Sequence, residues 1–210
     1  MAQKPTLSRK NAPEALQQRL RFHPMRIFLY LVLTAISSSF LFLSISYFLT
    51  TYGTDFNNFK LPVIFHANTI ILLVSGYSTL QIRKAIEADD WQGYLQALLV
   101  TIGIGMVFTA FQVWGWMDLQ KQGVKFTDIA GTYLYVISGL HMAHLLVGIA
   151  LLGWFALTGY DTYHDPVKKL LFESDPFSKM NVELLCTYWH FVDLLWLYLY
   201  IFFVVSIYVL

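Results

Sequence analysis

The stretch WQGYLQALLVTIGIGMVFTAFQVWGWM, residues 91–117, runs 27 positions without a Lys, Arg, Asp or Glu. A helix needs about 20 apolar residues to cross the hydrocarbon core of a bilayer. Here the apolar residues are continuous rather than alternating, which points to a helix and away from a barrel strand. Three more charge-free runs flank it: Ile27–Thr54, Leu61–Ile82 and Ile129–Tyr160, of 28, 22 and 32 residues. A fifth apolar stretch, Asn181–Leu210, carries only Glu183 and Asp193. Each run is long enough for one crossing and too short for two with a turn. The reading is an all-α membrane protein, a five-transmembrane-helix bundle with spans at about 27–51, 62–84, 92–117, 130–158 and 182–209. A basic N-terminal tail, residues 1–26, precedes the transmembrane domain, 27–210.

Composition excludes the other classes. Hydrophobic residues make up 57% of the chain and charged ones 13%, about half the charge of a soluble domain. Disorder requires the opposite balance. A net charge of +1 gives no overall attraction to nucleic acid. The single cysteine, Cys186, excludes a disulfide framework and a cysteine-built zinc site. Neither a Gly-rich phosphate loop nor a nucleophile elbow is present. After the tail, the longest polar segment is Asp161–Lys179, too short to be a soluble catalytic domain.

Lys and Arg set the expected orientation. The tail and the loops after spans 2 and 4 hold eleven of them; the opposite side holds Lys60, Lys121 and Lys125. The count predicts N-in/C-out, with the tail in the cytoplasm. Span 1 is read as an anchor, being too long for the core of a cleavable signal. Pro13–Arg21 reads as a short surface helix or a flexible tail. Pro62 stands at the start of span 2, where a missing N–H costs nothing. Trp91, Trp114, Trp116 and Trp154 lie near span ends, as an interfacial aromatic belt requires.

Ionisable groups at bilayer depth are costly and each asks for a reason. They are His141 and His144 on span 4 and Glu183, His190 and Asp193 on span 5; His66 lies near the outer end of span 2. Glu183, His190 and Asp193 fall along one side of a helix, with Asp193 about 15 Å deeper than Glu183. Depth matching predicts that the histidine pair of span 4 faces the His190–Asp193 stripe. Gly139, Ala143, Gly148 and Ala150 would allow the close approach. On that reading Asp193→Ala and His144→Ala weaken the same contact. Three roles stay open for the group: an inter-helix polar clamp, a proton relay, or haem or metal ligation. Two histidines three apart share a face, so ligation of one haem from both sides needs a third partner.

The string Tyr188-Trp189-His190-Phe191-Val192-Asp193-Leu194-Leu195-Trp196-Leu197 closely resembles the last helix of subunit III of the haem-copper terminal oxidases, cytochrome c oxidase and its quinol-oxidising relatives. Glu183 stands where that family has a glutamate. Gly139-Leu140-His141-Met142-Ala143-His144 followed by Gly148 resembles the family pattern on the preceding helix. Asn68-Thr69 with Leu72-Leu73 and Ser75-Gly76, Gln96-Ala97-Leu98-Leu99, and Phe108-Thr109-Ala110-Phe111-Gln112 resemble the two before it. The resemblance covers residues 60–210 well and span 1 weakly.

It implies a helix bundle of the short, five-span bacterial form, in a bacterial cytoplasmic membrane, with the same N-in/C-out orientation. The chain would be an accessory, cofactor-free subunit of an oxidase that reduces oxygen to water and pumps protons in aerobic respiration. Haem and copper would sit in the catalytic subunit I. Subunits II and IV, phospholipid and a larger respiratory assembly would be further partners, and nucleic acid none. The implied role is to stabilise subunit I, bind lipid and aid proton uptake. The resemblance departs at two places. Ser38, in Ser37-Ser38-Ser39-Phe40-Leu41-Phe42, stands where the family has a glutamate, and no acid follows Gln112 in Val113-Trp114-Gly115-Trp116. Glu183 and Asp193 are then the acids left for proton handling. The rival readings are a haem b-binding membrane anchor using His141, His144 and His190, and a small proton-coupled transporter using Glu183 and Asp193.

Overall fold

A computed structural model describes residues 23–51 and 60–208. The tail to residue 22, with its expected surface helix or flexible tail, and residues 52–59 and 209–210 lie outside the described residues. Six helices follow in order: α1 Pro24–Thr51, α2 Val63–Glu87, α3 Trp91–Lys121, α4 Ile129–His164, α5 Pro166–Ser174 and α6 Pro176–Tyr208. All but α5 are long and apolar enough to cross a membrane, and the described residues contain no strand.

Burial repeats every seven residues, in steps of three and four. On α2 the inward positions are Phe65, Asn68, Leu72, Ser75, Thr79, Ile82 and Ile86. On α3 they are Trp91, Tyr94, Leu98, Thr101, Gly105, Phe108, Gln112, Gly115 and Leu119. Leu134, His141 and Gly148 alternate with Ser138, Leu145 and Leu152 on α4. A seven-residue period is the seam of helices packed at a shallow angle, so α2 and α3 pair along their lengths as an antiparallel hairpin. α3 also packs on α4, α4 on α6, and α6 back on α2, which closes a four-helix core. α1 leans on this core against α4 and α6.

The polarity of inside and outside follows from the solvent. Phe28, Phe42, Leu49, Leu73, Leu99, Trp154 and Leu194 point outward, where lipid tails are as apolar as a protein core. Ser44, Asn68, Ser75, Thr79, Thr101, Gln112 and Ser138 point inward, where other helices can satisfy their hydrogen bonds.

The connections are tight. Asp89, in the left-handed region at φ +55, lies just past the C-cap of α2. Asp90 then caps α3 by accepting from the Gly93 N–H at 3.0 Å. Residues 161–179, expected as a polar loop, are helical except for single capping residues. Asp165 accepts the Val167 N–H (2.9 Å) and Asp175 the Phe177 N–H (3.1 Å), each followed by a proline at the first helical position. Two Asp-Pro pairs ten residues apart therefore cut out α5 and carry α4 and α6 beyond the expected spans. Trp91, expected in an interfacial belt, is instead buried. Its ring stands edge-on to Phe172 (4.9 Å) and its Nε1 donates toward Glu173 (3.4 Å), which seats α5 on α3. Trp114 and Trp154 are exposed near span ends as expected.

Candidate functional site

The candidate site is the junction of α2, α3, α4 and α6, built around two tryptophans of α6. The Trp189 indole is 1% exposed. It lies flush against two glycines: a Cβ on Gly105 of α3 or on Gly148 of α4 would stand 3.0 Å from its ring. Its Nε1 donates to Ser75 Oγ of α2 at 2.7 Å. Two turns on, Trp196 donates to Thr69 Oγ1 at 3.3 Å. Its ring packs edge-on against Phe108 (4.9 Å) and Phe65 (5.8 Å) and tilted against His141 (5.3 Å). Each indole thus fills a slot with its apolar body and ties a second helix with its N–H.

The sequence-predicted residues divide into three places. Asp193 is 7% exposed and turns toward Gly76 of α2. His190 lies on the same side: a Cβ on Gly76 would be 3.8 Å from Asp193 Oδ2 and 4.0 Å from His190 Nδ1. His141 is 1% exposed and borders one small chamber with Asp193 and Ser75. Neither of its ring nitrogens has a hydrogen-bond partner among the described residues, and neither does Asp193 Oδ2.

His144 goes elsewhere. Its Nδ1 bonds the Leu140 carbonyl at 2.7 Å and its ring meets Phe40 of α1 at 5.8 Å. The expected His144–Asp193 contact is therefore not formed; α6 reaches His144 only through Tyr188, whose hydroxyl donates to the His144 carbonyl at 2.9 Å. The physical reason is angular. Three residues advance a helix by about 300°, enough to turn one histidine toward α6 and the other toward α1. Of the small residues expected to let α4 approach α6, Gly148 does so, while Gly139 faces Trp116 of α3 and Ala143 and Ala150 are exposed.

Glu183 closes the end of the bundle. It pairs with Arg26 in the first turn of α1 at 3.0 Å, both side chains mostly buried. Lys179 pairs with Asp89 at 3.0 Å, tying the start of α6 to the α2–α3 turn. His66 bonds Tyr200 of α6 near the opposite end. Ser38, at the departed glutamate position, is exposed and bonds its own helix at the Thr34 carbonyl.

Ser75, Gly105 and the buried Asn68–Gln112 bond (3.3 Å) were not among the residues predicted for the site. Their signal is readable afterwards: Asn68, Ser75 and Thr79 keep the inward seven-residue register on α2. Among the described residues no three His, Cys, Asp or Glu side chains gather as a metal-holding group. The three span histidines face Trp196, Phe40 and the Gly76 side of α2.

A family model described as "Cytochrome c oxidase subunit III" matches residues 24–208. The chain is 34% identical over 147 residues to cytochrome c oxidase subunit 3 of Rhipicephalus sanguineus, covering 70% of this chain and 51% of that one. It is 32% identical over 148 residues to a probable cytochrome c oxidase subunit 3 of Rickettsia felis, covering 70% and 48%, and 31% identical over 146 residues to the subunit 3 of Tachyglossus aculeatus aculeatus, covering 69% and 50%. The chain spans about half the length of the curated relatives it matches. The match runs through every described helix, including the α6 string around Trp189 and Trp196, and on it the chain belongs to the cytochrome c oxidase subunit III family.

Proposed function

We propose that this chain is the accessory subunit III of a haem-copper oxidase in a bacterial cytoplasmic membrane, and that it performs no redox chemistry itself. The complex would reduce oxygen to water and couple that reaction to proton pumping. The chain would pack on subunit I, which holds the haem and copper, in company with subunits II and IV and bound phospholipid. The observation that carries this reading is the convergence of the family-like motifs. Asn68, Thr69 and Ser75 on α2, Phe108 and Gln112 on α3, His141 and Gly148 on α4, and Trp189, Asp193 and Trp196 on α6 all turn into one junction. The likeness is thus a matched packing interface as well as a string match.

The start of α1, the α2–α3 turn and the start of α6, which carry Arg26, Asp89, Lys179 and Glu183, lie together. Among the described residues Arg26, Arg83, Lys84, Lys168, Lys169 and Lys179 stand on this side of the spans and Lys60, Lys121 and Lys125 on the other, which supports placing this end in the cytoplasm. The polar group is assigned first to holding the helices together. Glu183, His190 and Asp193, in a file leading inward from that end, are the groups on this chain available to support proton uptake by the partner. A haem-carrying role finds no support in the histidine placement, since the rings of His141, His144 and His190 face Trp196, Phe40 and the Gly76 side of α2.

The test is a mild-detergent purification through a tag on this chain, with subunit composition and a reduced-minus-oxidised spectrum before and after stripping the chain away. Haem and copper should travel with a large partner, and the stripped chain should be colourless. Haem retained on the isolated chain, or a chain that purifies alone, overturns the proposal.

A further inference from the structure

Val167, Leu170 and Leu171 of the short helix α5 are 68%, 62% and 63% exposed. Spaced i, i+3 and i+4, they form one apolar ridge. Phe172 is turned about 100–160° from each of them and packs inward on Trp91, at the start of α3. With Phe172 held on the bundle, the ridge points away from it. The level of the ridge follows from α3. Its charge-free run, residues 91–117, rises about 40 Å, the thickness of a hydrocarbon core with both headgroup layers. Trp91, at one end of that run, therefore stands at headgroup level, and α5 stands with it. α4 arrives at the same level, because Gly159 lies against Tyr94. Just beyond, Tyr160 and Tyr163 are exposed, as amphipathic rings are in a headgroup layer. Lys168 borders the ridge about 60° from Leu171 and is exposed. Asp165 and Glu173 are engaged elsewhere, the first in capping α5 and the second with the Trp91 indole.

We propose that α5 is an interfacial anchor whose Val167–Leu170–Leu171 ridge inserts into the phospholipid surface, at the boundary between headgroups and acyl chains. Lys168 extends its ammonium to a headgroup phosphate while its stem lies along the apolar ridge. The ridge and the Trp91–Phe172 contact then hold α5 from opposite sides, one on lipid and one on protein. This fixes the depth at which α4 leaves the membrane and α6 enters it. Size favours lipid over a protein partner. Three side chains fall far short of the about 800 Å² that a stable protein contact takes from each partner, whereas insertion into a headgroup layer grows with whatever apolar area is offered. The inference requires only that the five long helices cross a bilayer, and stands independently of the assembly and the orientation proposed above.

The test is spin labelling of the full chain at Val167→Cys and Leu171→Cys, in the assembly with which it purifies, reconstituted into phospholipid nanodiscs. Both positions are exposed, so the fold survives the change, and the unsubstituted chain with its buried Cys186 gives the background. Collisions of each label with lipid-soluble oxygen and with a water-soluble nickel chelate report its depth. Leu73→Cys, on the exposed face of α2, is the lipid reference, and the exposed Lys121→Cys is the water reference. The oxygen-to-nickel ratio at 167 and 171 should be several-fold above that at 121 and below that at 73. A ratio equal to that at 121 places the ridge in water and overturns the proposal. Immobilised labels shielded from both reagents overturn it as well, because a protein then covers the ridge.

Discussion

α1 and α6 are similar in length and apolar content, yet they are built into the molecule differently. In the most apolar window of α1 17% of residues are buried, against 44% for α6. Their polar side chains account for the difference. Thr34, Ser37, Ser38, Ser39 and Thr50 on α1 all bond the carbonyl four residues back on their own helix, at 2.7–2.9 Å. Such bonds satisfy the hydroxyl and say nothing about a neighbour. On α6, Trp189, Trp196 and Tyr188 bond Ser75, Thr69 and the His144 carbonyl, all on other helices. Among lipid tails an apolar face gains little by leaving lipid for protein. Close packing and inter-helix hydrogen bonds decide which helix is central, and α6 has both.

The strongest way to break this contrast is Trp189→Ala. It empties the slot between Gly105 and Gly148 and strips Ser75 of a donor, and should cost about 3–5 kcal/mol, read as a lowered unfolding midpoint in detergent. Gly148→Val attacks the same slot from the other side. Its first added carbon already stands 3.0 Å from the indole, so overpacking should cost about 1–3 kcal/mol by the same measurement. The clasp that α1 does possess is Arg26–Glu183. Removing either partner should cost about 1 kcal/mol, as for a partly screened pair. The Arg26→Ala, Glu183→Ala double should be no worse than one single, whereas full additivity would mean the pair contributes nothing.

A smaller quantity sharpens the picture of α4. Because His144 faces α1 and Asp193 faces α2, His144→Ala and Asp193→Ala should combine with a coupling under about 0.5 kcal/mol. A large coupling would restore the contact that depth matching predicts. Least of all, Phe42→Ala on the outer face of α1 should shift stability by less than about 0.5 kcal/mol. A large loss there would show that this face is covered by a partner.

Much of the site was legible in the sequence. The Tyr188–Leu197 string carried the family resemblance, and Glu183, His141 and Asp193 were singled out by the cost of placing them at bilayer depth. Missed were the α2 residues that receive them. Ser75 is small and uncharged, so burial cost did not flag it, although its spacing from Asn68 and Thr79 follows the inward register. Also missed was α5, whose signal was local: Asp165-Pro166 and Asp175-Pro176 are each a cap followed by a proline.

The sequence by itself determined the number of long apolar helices, the end of the bundle that collects the basic residues, and the family. Each of these follows from charge exclusion over about 20 residues or from a local string, and needs no knowledge of neighbours. Only the tertiary structure decided which polar residues meet. Along these helices both the lipid-facing and the protein-facing sides are apolar, so composition does not mark the inner face. The angular step between residues three apart then sends His141 into the core and His144 to its edge. That choice is made by the shapes of Trp189 and Trp196 in their slots, through contacts between residues more than a hundred positions apart in the chain.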